Sequence, residues 1–403
     1  MERPYGQHES QAERADVSTE AGKGLDEMPQ HQKLQGPQEQ KAQDERSAGD
    51  KAHQPSRRRV TLKDVAKAAN VSITTASRAL ADYWDVSPTT KARVREVARK
   101  LGYTPNVIAQ SLVRKQPTLL GAYIVDEGIP LAEQPFFLPV VCGVRDRAAE
   151  LGQHVLLLAK PPSGEMSLAT IVKGAHVGGL VVMGLTEDHP ELLELERLGV
   201  PTVTIDITPR GDRMVMITSD NVAQAAAVTS HLIEQGCERI LFLGGKSNTA
   251  VNQAREQGYR EALRRHGFPS EAARVVYGDF SRQKAYEAVM AAWREAPFDA
   301  VFAASDLMAA GAMSALAELG LNVPADVAVA GYDDLAIARH LNPPLTTVRQ
   351  DPVAMGREAV DALKRLASEE VVSRVIEVKS RLVVRASSLK FKSDSSRGGT
   401  VTP

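Results

Sequence analysis

Side chains able to reach the edges of base pairs are gathered in one run of this sequence, VTLKDVAKAANVSITTASRAL, from Val60 to Leu80. Leu62, Val65, Ala66 and Ala69 stand at i, i+3, i+4 and i+7, which lays one apolar stripe along a short first helix. Asn70 breaks that helix. Ser72, whose hydroxyl suits an N-cap, then starts a second helix that turns Ala76 and Leu80 inward. Ile73, Thr74, Ser77 and Arg78 are left facing out. Small polar groups with one arginine near a helix N-terminus equip a helix to enter a major groove, where hydroxyls and a guanidinium meet base edges and isoleucine can touch only a thymine methyl. The pattern reads as a DNA-reading helix-turn-helix; its bland alternative is a helical hairpin with a solvated face.

Catalytic chemistry is harder to find. Gly244-Gly245-Lys246-Ser247 ends like a phosphate-binding loop, but Ile240 stands where that motif requires glycine, so the backbone cradle is missing. Ser219-Asp220-Asn221 and Ser387-Ser388-Leu389-Lys390 match fragments of a penicillin-interacting serine enzyme, yet no Lys-Thr-Gly follows and the second lies in what reads as a polar tail. His231, Cys237 and His266 do not approach zinc spacing on one helical face. Asp206 ends the run TVTID and Asp333 ends VAVAGYD, neither paired in sequence with a base. No enzyme, cofactor or metal is expected.

The elements that must hold these groups follow from the rest of the chain. With 403 residues, 43% hydrophobic and 25% charged, two or three globular domains are expected. The net charge of −1 hides an asymmetry: residues 57–116 hold thirteen Lys and Arg against four Asp and Glu, which marks that segment as polyanion-binding. Cys142 and Cys237 are too few for a disulfide framework and read as free buried thiols. No apolar run approaches a membrane span or a signal segment, so a cytoplasmic protein without membrane contact is expected. Residues 1–56 are rich in Gln, Glu, Lys and His and read as a disordered tail, with His8, His31 and His53 solvated. Arg57-Arg58-Arg59 follows as a phosphate-contacting triplet.

Beyond the second helix, Ser87-Pro88-Thr89 opens a third, whose apolar face is Val94, Val97, Ala98 and Leu101, and Gly102 ends it. From Leu119 the texture changes. LLGAYIV, HVLLLA, GGLVVMG and PTVTID read as strands alternating with helices, and RILFLGG, ARVVYGDF, DAVFAAS and DVAVAGYDD repeat the pattern. Such alternation argues for parallel sheets covered on both faces, with ligand outside the carboxyl ends of the strands.

TLKDVAKAANVSITTASRAL, followed by DVSPTTKARVREVARKLGYTPNVIAQSL, closely resembles the DNA-binding headpiece and hinge of the LacI-GalR family of bacterial transcription regulators. The likeness runs from Val60 to about Lys115 and continues less densely to about Arg385. It implies an N-terminal all-α helix-turn-helix headpiece followed by an α/β two-lobe periplasmic-binding-protein-like core. It also implies a boundary set: a headpiece over residues 57–104, a hinge over 105–117, a core over 118–386 and a disordered tail over 387–403. Within the core the first lobe would take about 118–218 and 349–378, and the second about 219–348 and 379–386.

The resemblance assigns DNA contacts to Thr61, Ser72, Ile73, Thr74, Thr75, Ser77 and Arg78, and to Asn106, Ala109 and Leu112 of the hinge. The hinge would become helical only on operator DNA, beside its twin from a second subunit, with Leu112 wedged into the minor groove. Arg255 in NQAREQGY, Phe280 in GDFS and Ser305-Asp306 match effector-contacting positions, joined by Asp206 and Asp333, while Gln350 in VRQD lies at a crossover between lobes where it could hydrogen-bond ligand or hinge. Each has an ordinary alternative: caps for the aspartates, core for Phe280, a structural ion pair for Arg255. Together they favour a neutral polar effector, a sugar or glycoside, since an anion would want more cations than Arg255. The implied protein is a homodimeric repressor on double-stranded operator DNA, with inducer and co-repressor modes both open. A solute-binding protein shares the two-lobe core but would carry no headpiece. Ile73 and Thr74 depart from the bulky or amide residues common in the family, which leaves the half-site open.

Overall fold

The computed structural model describes residues 60–104, 119–125, 134–159, 166–370 and 372–390. The N-terminal tail, the basic triplet, and the hinge with Asn106, Ala109 and Leu112 lie outside the described residues.

Three helices form the headpiece: α1 (Leu62–Ala68), α2 (Ile73–Leu80) and α3 (Pro88–Leu101). Each is started by a side chain that accepts an orphan backbone N–H. Thr61 and Asp64 form a reciprocal capping box on α1. The Ser72 hydroxyl accepts the Thr75 N–H at 2.9 Å, and the Ser87 hydroxyl accepts that of Thr90 at 3.3 Å. Asn70, at φ 51, and Gly102, at φ 67, end α1 and α3 in the left-handed region. The core is built of small side chains, with Val65, Ala66, Ala69, Ala76, Ala79, Val94 and Ala98 buried, so the short helices approach closely. Leu80 packs against this core while remaining half-buried, Ala79 is buried as well, and Leu101 is exposed.

The first lobe is a six-stranded parallel sheet in the order β11-β5-β4-β3-β1-β2. Its strands are β1 (Leu119–Ile124), β2 (His154–Leu158), β3 (Leu180–Met183), β4 (Thr202–Ile205), β5 (Met214–Ser219) and β11 (Val375–Val378). Alternate residues feed two cores. Val181, Met183, Val203 and Ile217 meet α4 (Phe137–Glu150) and α11 (Pro352–Ala367), while Leu180, Val182 and Met214 meet α5 (Leu168–Ala175) and α6 (Glu191–Leu198). Gly143 and Gly356 let α4 and α11 cross backbone to backbone: a Cβ on either would lie 2.1 Å from a carbonyl oxygen, of Val353 or Val140.

The second lobe holds a parallel sheet ordered β7-β6-β8-β9, from β6 (Ile240–Gly244), β7 (Arg274–Tyr277), β8 (Ala300–Ala303) and β9 (Ala328–Ala330). Around it pack α7 (Asn221–Glu234), α8 (Ala250–Arg265), α9 (Arg282–Glu295) and α10 (Asp306–Glu318) in one core. A two-stranded antiparallel ladder joins β10 (Thr347–Arg349) to β12 (Arg381–Val383). The chain passes between lobes three times: between β5 and α7, between β10 and α11, and between β11 and β12.

Residues 387–390 are not the disordered tail that their polar composition implies. Ser387 and Ser388, placed by sequence in a disordered tail, are fully buried. The Ser387 hydroxyl donates to the Val329 carbonyl at 2.6 Å and accepts the Thr346 N–H at 2.8 Å. Ser388 Oγ lies 2.6 Å from Thr346 Oγ1 and 2.7 Å from His231 Nε2. Polar composition suggested a solvated end, but these hydroxyls satisfy buried groups of the second lobe.

Candidate functional site

The carboxyl ends of the strands open on a cleft of about 140 Å³ between the two sheets. Asp206 follows β4 at φ 58, Phe280 follows β7 at φ 58, and Asp333 follows β9 at φ 112. Positive φ is costly for such residues and clusters where a site needs a side chain aimed inward. Ser305 ends the β8 run and caps α10, Arg255 comes from α8, and Gln350 comes from the passage after β10. All six line the cleft.

Arg255 is 3% exposed. Its Nε donates to Asn221 Oδ1 at 2.9 Å, its Nη1 donates to the Ala304 carbonyl, and Nη1 lies 3.8 Å from Asp333 Oδ1. The guanidinium also sits 3.7 Å from the centroid of the Tyr332 ring, a cation–π contact. The Thr218 hydroxyl donates to Asp206 at 2.6 Å, and the Gln350 amide donates to Asp333 at 2.7 Å. Gln350 Oε1 is buried without a partner among the described residues. Burial raises both carboxyls against the pull of Arg255, and Asp333 is pushed up to about 7. A buried guanidinium 3.8 Å from the Asp333 carboxyl, with the Asp206 carboxyl and Lys246 on the same cleft, offers both acceptors and donors to hydroxyl groups.

The walls are apolar. Phe136 and Phe137 stand edge to face with ring centroids 6.1 Å apart, opposite Phe280, Leu307 and Leu335. The Phe280 ring lies over Gly245, where a Cβ would come within 2.1 Å of it. At the mouth, the Glu187 N–H donates to the Asn248 carbonyl at 2.9 Å and the Asn248 amide donates to Asp188 at 2.8 Å, tying the two lobes together.

Asp306 does not line the cleft. It is fully buried, its oxygens accepting the Thr347 hydroxyl and, at 2.7 Å, the Leu335 N–H, so it ties loops together behind the site. Sequence reasoning missed Phe136, Phe137, Asn221 and Tyr332. The paired aromatics of QPFF, before a helix start, were the one available signal.

On the headpiece, Thr61, Ser72, Ile73 and Thr74 are exposed, Ile73 by 50%, while Thr75 and Ser77 are half-buried. The Thr75 hydroxyl stays 2.8 Å from that of Ser72. Arg78, expected to face out near the helix N-terminus, lies instead in the last turn of α2 and is half-buried: its Nη2 lies 2.6 Å from Asp85 and its guanidinium stands 5.0 Å from the Tyr83 ring centroid.

Residues 61–106 match the model of bacterial regulatory proteins of the lacI family, and residues 229–388 match a periplasmic binding protein-like domain. The HTH-type transcriptional regulator CelR of Thermobifida fusca is 36% identical over 82% of this chain and 99% of its own length. The HTH-type transcriptional repressor PurR of Vibrio vulnificus is 31% identical over 81% of this chain and 97% of its own. Among solved structures, the lac repressor dimer bound to operator and the anti-inducer ONPF aligns with a TM-score of 0.70 at 28% identity, covering 82% of this chain and 99% of that one. A CelR-cellobiose complex aligns at 0.63 with 33% identity, covering 82% and 100%. With a capped three-helix headpiece and a two-lobe core behind it, the chain belongs to the LacI family of bacterial regulatory proteins and is a DNA-binding transcriptional regulator.

Proposed function

We propose that this regulator is a homodimeric repressor whose operator affinity is set by a neutral sugar or glycoside in the cleft. The carrying observation is Arg255 beside Asp333, with Asp206 on the same cleft and aromatic side chains on its walls: carboxyls take hydroxyl donors, and flat rings cover the apolar face of a pyranose. Cellobiose in the CelR complex and ONPF in the lac repressor support a ligand of this class. Asp206, Arg255, Phe280, Ser305, Asp333 and Gln350 are its contacts, with Phe136 and Phe137 added and Asp306 left as support.

Bases are read by Ile73, Thr74, Ser77 and Arg78, with Thr61, Ser72 and Thr75 nearer the backbone. Asn106, Ala109 and Leu112 belong to the hinge, where a leucine wedge can unstack a base step. A two-fold dimer suits a pseudo-palindromic operator with half-sites about one helical turn apart. The lac repressor neighbour is a dimer on operator DNA. Such a regulator works in the cytoplasm, on the nucleoid.

The test selects an operator from a random double-stranded pool, then titrates a panel of sugars including cellobiose against the complex. One sugar is expected to raise the melting temperature and change operator affinity by about 5- to 150-fold. Arg255→Gln should lose that response and keep operator binding. A panel that moves neither property overturns the effector reading.

A further inference from the structure

We infer that Asp85 is a positioning residue for base recognition: with Tyr83 it fixes the Arg78 guanidinium before DNA arrives, and so sets how sharply one base of each half-site is discriminated. This rests on the proposal that Arg78 reads a base. Three observations carry it. Asp85 Oδ2 lies 2.6 Å from Arg78 Nη2, across a seven-residue separation in sequence. The Tyr83 ring stands 5.0 Å beneath the guanidinium carbon, and the Tyr83 N–H donates to the Arg78 carbonyl at 3.0 Å, which pins the ring to the residue it supports. Arg78 Nε is buried without a hydrogen bond, so that edge of the fork faces protein.

The loop carrying both supports is itself anchored. Ala81 and Val86 are buried in the headpiece, and Asp82 is held by Lys91 at 3.1 Å and Arg95 at 2.7 Å from α3. A free arginine on a recognition helix samples many rotamers and can swing to a phosphate, which raises affinity without reading sequence. With Nε turned inward, an Asp85 bond to the Nη2 proton on the Nε side leaves Nη1 and the second proton of Nη2 as a parallel pair of donors. That is the fork that two acceptors on one guanine edge fit. A carboxylate beside a polyanion also weakens indiscriminate attachment, so Asp85 would favour discrimination at the expense of total affinity.

The experiment uses the full-length protein and a random double-stranded pool, comparing base preference at every operator position for wild type, Asp85→Asn and Arg78→Ala. Asp85→Asn is expected to reduce preference at one position of each half-site about fivefold or more, leave the other positions unchanged, and bind bulk DNA no more weakly. Arg78→Ala should erase the same position. Unchanged preference in Asp85→Asn, with Arg78→Ala still erasing the position, overturns the positioning role alone. Unchanged preference in Arg78→Ala removes the base-reading assignment and the positioning role with it. Should Asp85→Asn lower the melting temperature, Tyr83→Phe and Tyr83→Leu decide: the ring-preserving change should keep the preference and the leucine should lose it, and equal behaviour overturns the proposal.

Discussion

Asp333 sits at φ 112, takes a hydrogen bond from Gln350, faces Arg255, and is pushed by burial up to about 7. A carboxyl raised above its unfolded value of about 3.9 stabilises the fold while protonated; that contribution is complete below the unfolded value and is lost as pH rises through the folded one. Ligand-free wild type should therefore gain melting temperature relative to Asp333→Asn between pH 8 and pH 5. A pH-independent difference would contradict this. If sugar hydroxyls donate to the Asp333 carboxylate, effector affinity should also weaken below about pH 7, by up to roughly tenfold per pH unit. At this scale the sequence was informative where a residue ends a strand: Asp206, Ser305 and Asp333 all line the cleft. It misled at Asp306, because a second carboxylate beside a site residue looks alike whether it turns toward ligand or toward Thr347 and Leu335. Arg78 was recognised as a polar face residue, but its partner Asp85 lies in a loop that periodicity does not describe.

Helices and strands with a strong period were legible. α2 and α3 carry their N-cap serines where expected, α1 is capped by Thr61, and eight apolar runs became strands. The strand β5, MVMITS, was passed over because it follows β4 closely with no helix between to announce it. β10 and β12 are three residues each, and their pairing arises from the lobe crossings rather than from local pattern. The crossing of α4 and α11 makes the most specific demand at this level. Gly356→Ala would push a methyl group toward the Val140 carbonyl and should destabilise the first lobe by about 1–3 kcal/mol, read as a lower melting temperature. Unaltered stability would mean that the helices part without cost.

Across the whole molecule, the passages between lobes and the bonds at the cleft mouth allow one ligand to be sensed by both sheets at once. Asp206 belongs to the first lobe, while Arg255, Phe280 and Asp333 belong to the second, so a sugar touching all four distinguishes lobe arrangements by its own contacts. Composition and alternation were enough to indicate two α/β units and a basic DNA-binding segment. The buried C-terminal serines were not legible, since their value lies in partners such as His231, far away in sequence.

Coupling between cleft and DNA must be reciprocal: whatever factor the effector imposes on operator affinity, the operator imposes on effector affinity. The most direct measurement is a calorimetric titration of the sugar that gives the largest thermal shift, into free protein and into protein saturated with selected operator. The dissociation constants should differ by the same factor as the change in operator affinity. Equal constants in the two titrations would contradict this coupling.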